Sequence, residues 1–403
     1  MIVGALNVKY SPNLGDGLLA ECLEAELVSN GPDITTLAID LAGRTAYGDG
    51  MRRRRAVLSL LEAAPGGLRQ AGVGMALGLT VQRRLRPRWR EMLRGVDALV
   101  LGGGNLLADA DLNFPMKIEG ALAEAGAAGI PLGIYGIGVS DNWSPRGQAL
   151  FERAMTVSRP IHVAVRDPLS KAIWDRRLGP AGAPWAQVCP DPAVLAGIHF
   201  PASGKTTGAR RIGLGITNPV ALRYHAADVT VRDQEMAAWM AELVRAMAAK
   251  GWKVTVFTNG SPEDRDYLAK IAPRLQAAGN ISVAPAFSRP SELAAFISGL
   301  DLVMAHRMHA CIAAYAYAKP HIGFAWDAKL QSFFDSVGRG EFVVEAGRAA
   351  TNDVMDLAER GLREGINEVI HVACISDARQ GIARLVEALR VSNPRPVLAV
   401  AAR

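Results

Sequence analysis

What most constrains this chain is an alternation of short apolar runs with longer stretches of helical periodicity. Apolar runs near 2–7, 34–40, 98–103, 131–137, 162–166 and 186–189 flank segments near 16–29, 116–128, 145–157 and 168–177 whose apolar residues recur every three or four positions. Strands alternating with helices in this way predict parallel βαβ units. Ala98-Leu99-Val100-Leu101 is apolar throughout, as expected of a central strand covered by helices on both faces. A polar, glycine-containing stretch over 199–210 interrupts the pattern. It restarts with strands near 211–217, 253–258, 281–284, 301–305 and 320–325, and helices near 233–250, 262–278, 290–299, 307–318, 328–337, 352–363 and 377–391. The expected fold class is α/β, with two Rossmann-like domains of mostly parallel sheet facing each other across a cleft. Residues 1–198 are expected to form the first domain, 199–210 a linker, 211–390 the second domain and 391–403 a tail.

A chain of 403 residues exceeds what one hydrophobic core usually serves. Half of its residues are hydrophobic and 21% are charged, which excludes a disordered polymer. The net charge of +6 is concentrated in an insertion around 44–94, where 12 Arg and no Lys stand against Asp49, Glu62 and Glu91, a net +9. The remainder is then about −3, so no nucleic-acid partner is expected. Cys22, Cys189, Cys311 and Cys374 lie far apart with no C-x-x-C pair, the pattern of a reduced protein without a zinc site. The start shows no basic leader segment and no apolar run approaches a membrane span, so a cytoplasmic protein is expected.

Ligands of such sheets bind beyond the carboxyl ends of the strands, so the strand-to-helix turns are where chemistry is expected. Arg307-Met308-His309 follows the apolar run Asp301–Ala305 and opens a helix. Backbone N–H groups at a helix start favour an anion, an Arg there adds a planar fork for phosphate or carboxylate, and a His can exchange a proton near neutrality. The ordinary alternative is an Arg paired with a core carboxylate and a His satisfied by a backbone carbonyl. Val165-Arg166-Asp167 is a second cationic strand end, and Gly102-Gly103-Gly104-Asn105 lets backbone approach a ligand closely. Asn13-Leu14-Gly15-Asp16 follows the first strand, where Asp16 reads either as a ligand contact or as a helix N-cap. Lys329 opens a helix after the run His321–Ala325, where it opposes the helix dipole unless an anion is bound. Gly204-Lys205-Thr206 lacks the earlier glycine of a nucleotide loop and precedes a strand, so that reading is rejected. No histidine or carboxylate cluster has metal-ligand spacing.

Taken in order, Asn13-Leu-Gly-Asp16, Gly102-Gly-Gly-Asn105, Gly136-Ile-Gly138, Val165-Arg-Asp167, Asp191-Pro-Ala193, Arg307-Met-His309 and Asp327-Ala-Lys329 resemble the polysaccharide pyruvyltransferase family. The resemblance implies a fold like that of the two-domain GT-B glycosyltransferases. It also implies transfer of the pyruvate unit of phosphoenolpyruvate, the donor substrate, onto two sugar hydroxyls as a cyclic ketal, with no further cofactor and no metal. It maps catalytic roles onto Arg166, Arg307 and His309, and substrate binding onto Lys329, Asn13, Asp16, Gly103, Gly104, Asn105 and Met308. Met308 replaces the family's usual Leu, a volume-conserving change.

Two rivals stay open. A nucleotide-sugar glycosyltransferase draws on Asp327 and Asp335 as a spaced acidic pair, and a non-catalytic anion-binding component of a polysaccharide assembly complex needs only the cationic turns. The arginine-rich insertion, with apolar stretches at Val57–Leu61 and Gly72–Val81 and basic residues around Trp89, suits either peripheral contact with the inner face of an anionic membrane, as a lipid-linked saccharide acceptor would require, or a solvated insertion.

Overall fold

The computed structural model of the chain describes residues 1–49, 74–204, 208–219, 233–325 and 328–393. Two six-stranded sheets carry the architecture, and every strand pair within them is parallel. The α/β class read from the sequence is the observed one.

The first sheet contains β1 (Ile2–Asn7), β2 (Thr35–Asp40), β3 (Ala98–Leu107), β4 (Leu132–Val139), β5 (His162–Val165) and β6 (Gln187–Val188), in the spatial order β2-β1-β3-β4-β5-β6. Its crossovers are α1 (Leu14–Ser29), α2 (Arg86–Met92), α3 (Asn113–Ala127), α4 (Pro145–Ser158) and α5 (Pro168–Leu178), with a one-turn helix α6 (Ala196–His199) at the end. The second sheet contains β7 (Arg211–Gly215), β8 (Lys253–Phe257), β9 (Ile281–Val283), β10 (Leu302–Ala305), β11 (His321–Ala325) and β12 (Val343–Glu345), in the order β12-β11-β10-β7-β8-β9. Around it lie α7 (Asp233–Ala249), α8 (Pro262–Ala278), α9 (Pro290–Ser298), α10 (Met308–Ala316), α11 (Ala328–Ser336) and α12 (Thr351–Glu364).

The winding direction reverses between β1 and β3 in the first sheet and between β7 and β10 in the second. Loops diverge at such switch points and leave a crevice for ligand. Near the first crevice, Gly103, Gly104 and Gly136 adopt left-handed φ of 76°, 75° and 65°, a region that L side chains enter only at a cost. The ladder register shifts in the same places, between Gly104 and Leu107 and between Tyr135 and Ile137.

The last helix, α13 (Glu368–Ser392), follows the second sheet in sequence but packs on the first. The Tyr135 hydroxyl of β4 donates to the Ala378 carbonyl at 2.9 Å, and Leu385 occupies the space that a side chain at Gly133 would need.

The arginine-rich insertion turns out to be partly structural. Residues 50–73, which include Val57–Leu61 and most of its first arginine cluster, lie outside the described residues. Residues 74–92 are helical, and Val81, Leu85 and Trp89 bury an i, i+4, i+8 stripe in the core beside β2 and β3. Trp89 donates its indole N–H to the Asp40 carbonyl at 3.3 Å, and Arg86 and Arg90 both bind Glu124. Around Trp89 the segment is therefore neither a solvated insertion nor a surface helix with its aromatic turned outward. It is a covering helix with a basic outer face.

Candidate active site

The helices α1 and α10 start against one another, although they belong to different sheets. Gly15 makes this possible: a Cβ there would stand 2.5 Å from the Cβ of His309. Asn13 caps α1, its Oδ1 accepting the Gly15 N–H at 3.2 Å. That excludes the N-cap reading of Asp16 and leaves its carboxylate free of that duty.

His309 is buried in the second position of α10, between two acids from the other half of the molecule. Its Nδ1 lies 3.7 Å from Asp16 Oδ1 and its Nε2 lies 3.8 Å from Asp191 Oδ2. The expected alternative of a backbone carbonyl partner is not what the ring meets.

Arg307 is the residue before α10. Its Nε and Nη2 donate to Asp264 Oδ2 at 3.0 and 2.8 Å, while Asp264 Oδ1 accepts the Asn218 N–H at 2.9 Å. Asp264 is fully buried in the first turn of α8. It thus joins the carboxyl ends of β7 and β10 across the second switch point. The ordinary reading of Arg307, pairing with a core carboxylate, is realised. It still leaves Nη1 without a share in that pair, on a side chain that keeps part of its surface exposed.

Arg166 follows β5 and is buried against Asp167 at 3.3 Å. Its guanidinium lies over Gly138, where a Cβ would come within 2.5 Å of Nη2 and 2.6 Å of Cζ. Arg166, Asp191 and Met308 line one cavity with Phe333 of α11, Val337 just past its end, and Cys374 of α13. Met308 therefore fills a wall position where a Leu would serve as well. Lys329 is half-buried in the second position of α11, the helix that walls this cavity.

Gly102–Asn105, expected as a strand-end turn, lies inside β3, and its residues divide their labour. Gly103 packs on Leu19, a Cβ at Gly104 would meet only Leu106 Cδ2 at 4.0 Å, and Asn105 exchanges hydrogen bonds with Ser140 at 3.0 and 3.3 Å. The structure thus brings His309, Asp16, Asp191, Arg166 and Met308 into one neighbourhood. Arg307 pairs with Asp264 through Nε and Nη2 and does not line the cavity, and Asn105 pairs with Ser140. Of the acidic pair weighed for a nucleotide-sugar enzyme, Asp335 accepts from Gln331 Nε2 at 2.8 Å, and Asp327 lies outside the described residues. Among the described residues no group of three or more His, Cys, Asp or Glu is arranged to hold a metal ion, and no helix is long and apolar enough to cross a membrane.

Three residues escaped the sequence reading. Gly15 and Asp191 stand inside the quoted turns without a role, and Asp264 was not singled out. Ser261-Pro-Glu-Asp264 reads only as a helix start, and it is one, since Ser261 Oγ accepts the Asp264 N–H. The second duty of Asp264 has no local signal.

The sequence profile of the polysaccharide pyruvyl transferase family matches residues 13–328, from the α1 cap to the start of α11. The chain belongs to that family. No curated protein matches it by sequence alone. The fold of this family member is shared with nucleotide-sugar epimerases. The UDP-GlcNAc 2-epimerase from Methanocaldococcus jannaschii superposes with a TM-score of 0.55 at 10% identity, over 96% of this chain and 99% of that one. A putative UDP-N-acetylglucosamine 2-epimerase from Listeria monocytogenes gives 0.57 at 12%, over 96% and 95%. The UDP-GlcNAc 2-epimerase from Neisseria meningitidis, bound to UDP-GlcNAc, gives 0.51 at 11%, over 97% and 98%. At such identities the likeness speaks for the two-sheet GT-B-like fold alone.

Proposed function

We propose that this pyruvyl transferase moves the pyruvate unit of phosphoenolpyruvate onto two hydroxyls of one sugar in a polysaccharide or oligosaccharide, forming a cyclic ketal and releasing phosphate. The observation that carries the proposal is the bracketing of His309 by Asp16 and Asp191, beside a cavity lined by Arg166, within the span the family profile matches. Phosphoenolpyruvate holds a carboxylate and a phosphate close together, so it needs cations from several directions. Arg166 comes from the first sheet, and Arg307 and Lys329 from the second. The two abutting helix starts add partial positive charge.

In the proposed reaction His309 gives a proton to the methylene carbon, whose new C–H bond takes the π pair and leaves an oxocarbenium-like centre. One sugar hydroxyl attacks that centre and returns its proton to His309. The second hydroxyl displaces phosphate, and its proton leaves with the phosphate. The arginines hold the charge that develops on the leaving group. The family description supports a saccharide acceptor; phosphoenolpyruvate as donor is our reading of the cationic turns.

Phosphate release from phosphoenolpyruvate with candidate diol acceptors tests the reaction. For His309→Ala we expect a loss of at least about 10²-fold in kcat, the usual worth of a positioned proton donor. Near-normal ketal formation by a folded variant would overturn the role of His309. Release of nucleotide from a UDP-sugar in the presence of an acceptor, with none of phosphate from phosphoenolpyruvate, would instead favour the nucleotide-sugar glycosyltransferase reading.

We further propose peripheral contact with an anionic lipid surface at the inner face of the cytoplasmic membrane. Met75 and Leu79, one helical turn apart, are 72% and 49% exposed, and Arg83 and Arg84 follow on the same helical segment. Apolar and basic side chains on one outer face suit a lipid interface and a lipid-linked acceptor. Flotation with anionic vesicles at low salt is the test, and failure to float removes the proposal.

A further inference from the structure

The structure assigns Asp191 the task of positioning His309: it holds the ring through Nε2–H, so that Nδ1 is the nitrogen that exchanges the proton. The assignment rests on the reading of His309 as the proton carrier.

Asp191 follows β6 and caps the 3₁₀ turn Pro192–Leu195. Its Oδ1 accepts the Ala193 N–H at 3.0 Å, which fixes the rotation of the carboxylate. The other oxygen, Oδ2, is buried and has no hydrogen-bond partner among the described residues. His309 Nε2 is buried and unpartnered in the same way. These two orphans face each other at 3.8 Å. An unmade hydrogen bond on a buried group is costly, and more so for a charged one. A movement of about 1 Å between the halves brings the pair to bonding distance and satisfies both atoms at once.

The chemistry of the partners then fixes the tautomer. An ionised carboxylate can only accept, so Nε2 must carry the hydrogen. The second nitrogen, Nδ1, is left facing Asp16, whose side chain is 19% exposed against 3% for Asp191. The exchangeable position is therefore on the more open side. When the Nδ1–H bond breaks and the proton passes to the methylene carbon, the ring is left as the neutral Nε2–H tautomer that Asp191 stabilises. The first acceptor hydroxyl then restores Nδ1–H. A buried acid that orients a histidine through its far nitrogen works in the same way in the serine protease triad.

Asp191→Asn tests this directly. The Asn side-chain oxygen can keep the Ala193 cap, and its NH₂ group then points a donor at Nε2. The tautomer should reverse to Nδ1–H. We would label the protein with ring-¹⁵N histidine, assign His309 by its loss in His309→Gln, and read the neutral tautomer from long-range ¹H–¹⁵N spectra. The expected result is Nε2–H in the unaltered protein and Nδ1–H in Asp191→Asn. With phosphoenolpyruvate, kcat should fall at least about 10²-fold with a much smaller change in KM, since Asp191 lines the cavity but its Oδ2 faces the histidine. An Nδ1–H tautomer in the unaltered protein overturns the assignment, and that spectrum decides even if the variant fails to fold. An unchanged tautomer in folded Asp191→Asn overturns it as well. A reversed tautomer in a protein that releases no phosphate from phosphoenolpyruvate upholds the role of Asp191 and refutes the pyruvyl-transfer reading alone.

Discussion

Gly138→Ala changes where Arg166 sits without changing any charge, which makes it a sharp probe of the site. Gly138 lies in β4 and its φ is outside the left-handed region, so alanine meets no backbone penalty there. The added Cβ would stand 2.5 Å from Nη2, 2.6 Å from Cζ and 2.8 Å from Nε of Arg166. Carbon and nitrogen in contact need about 3.5 Å, so the whole guanidinium has to retreat by about 1 Å. It cannot do so freely, because Arg166 is buried and paired with Asp167. Overpacking of this kind costs about 1–3 kcal/mol of stability, which a domain-sized core survives. A 1 Å misplacement of a substrate-holding group costs about 10²-fold in rate. We therefore expect a folded variant whose kcat/KM for phosphoenolpyruvate falls by about that factor. Isothermal titration with phosphoenolpyruvate, circular dichroism and phosphate release together provide the assay. Unchanged donor binding and turnover in a folded Gly138→Ala protein would show that the position of Arg166 does not matter, and the cavity it lines would lose its claim as the donor site.

Other perturbations read other parts of the same arrangement. Asp264→Asn places an amide donor against either the Arg307 guanidinium or the Asn218 N–H, since both oxygens of Asp264 are engaged. We expect a loss of about 2–4 kcal/mol in chemical denaturation, somewhat below the full cost of stranding a buried charge because Arg307 reaches solvent, together with a raised KM for phosphoenolpyruvate; wild-type values for both would remove Asp264 as the anchor of Arg307. Acid should destabilise the fold before it affects exposed carboxylates. Burial, and then the nearby Arg307 for His306 and Arg339 for His321, pushes both imidazoles down to about 3, against about 6.5 in an unfolded chain. Between those values the unfolded chain binds protons that the folded chain refuses, so stability falls as pH drops below about 6.5, by up to about 1.4 kcal/mol per pH unit for each ring. A melting series from neutral to mildly acidic pH checks this, and a midpoint that stays level or rises contradicts it.

Alternation of apolar segments with helical periodicity places eleven of the twelve strands, because nearly all of them carry two or more apolar residues within a short stretch between helices. β12 is only Val343–Glu345, too short to show a period. The helix through Trp89 was hidden by charge: six arginines between Arg83 and Arg94 mask an apolar stripe of three residues. α13 begins at Glu368, nine residues before the expected 377, since Val369 and Val372 point outward and blur the periodicity. At the site, the turns could be read because strand ends of parallel sheets are where ligands bind. Which carboxylate would meet which cation could not. Asp191 meets His309 across 118 residues of chain and Asp264 meets Arg307 across 43, and both acids carry local capping signals that account for them fully on their own.

The return of α13 to the first sheet has a mechanical consequence. The chain passes between the halves twice, once before β7 and once between α12 and α13. One buried carboxylate holds the segments that flank these passages: Glu26 on α1 accepts from Arg379, within α13, at 2.9 Å and meets His199, at the end of α6, at 3.0 Å. Two connections leave the halves fewer ways to move than one would, since each must keep its own span closed. We expect any movement that brings His309 to Asp191 to depend on these Glu26 contacts, although Glu26 does not line the cavity beside them.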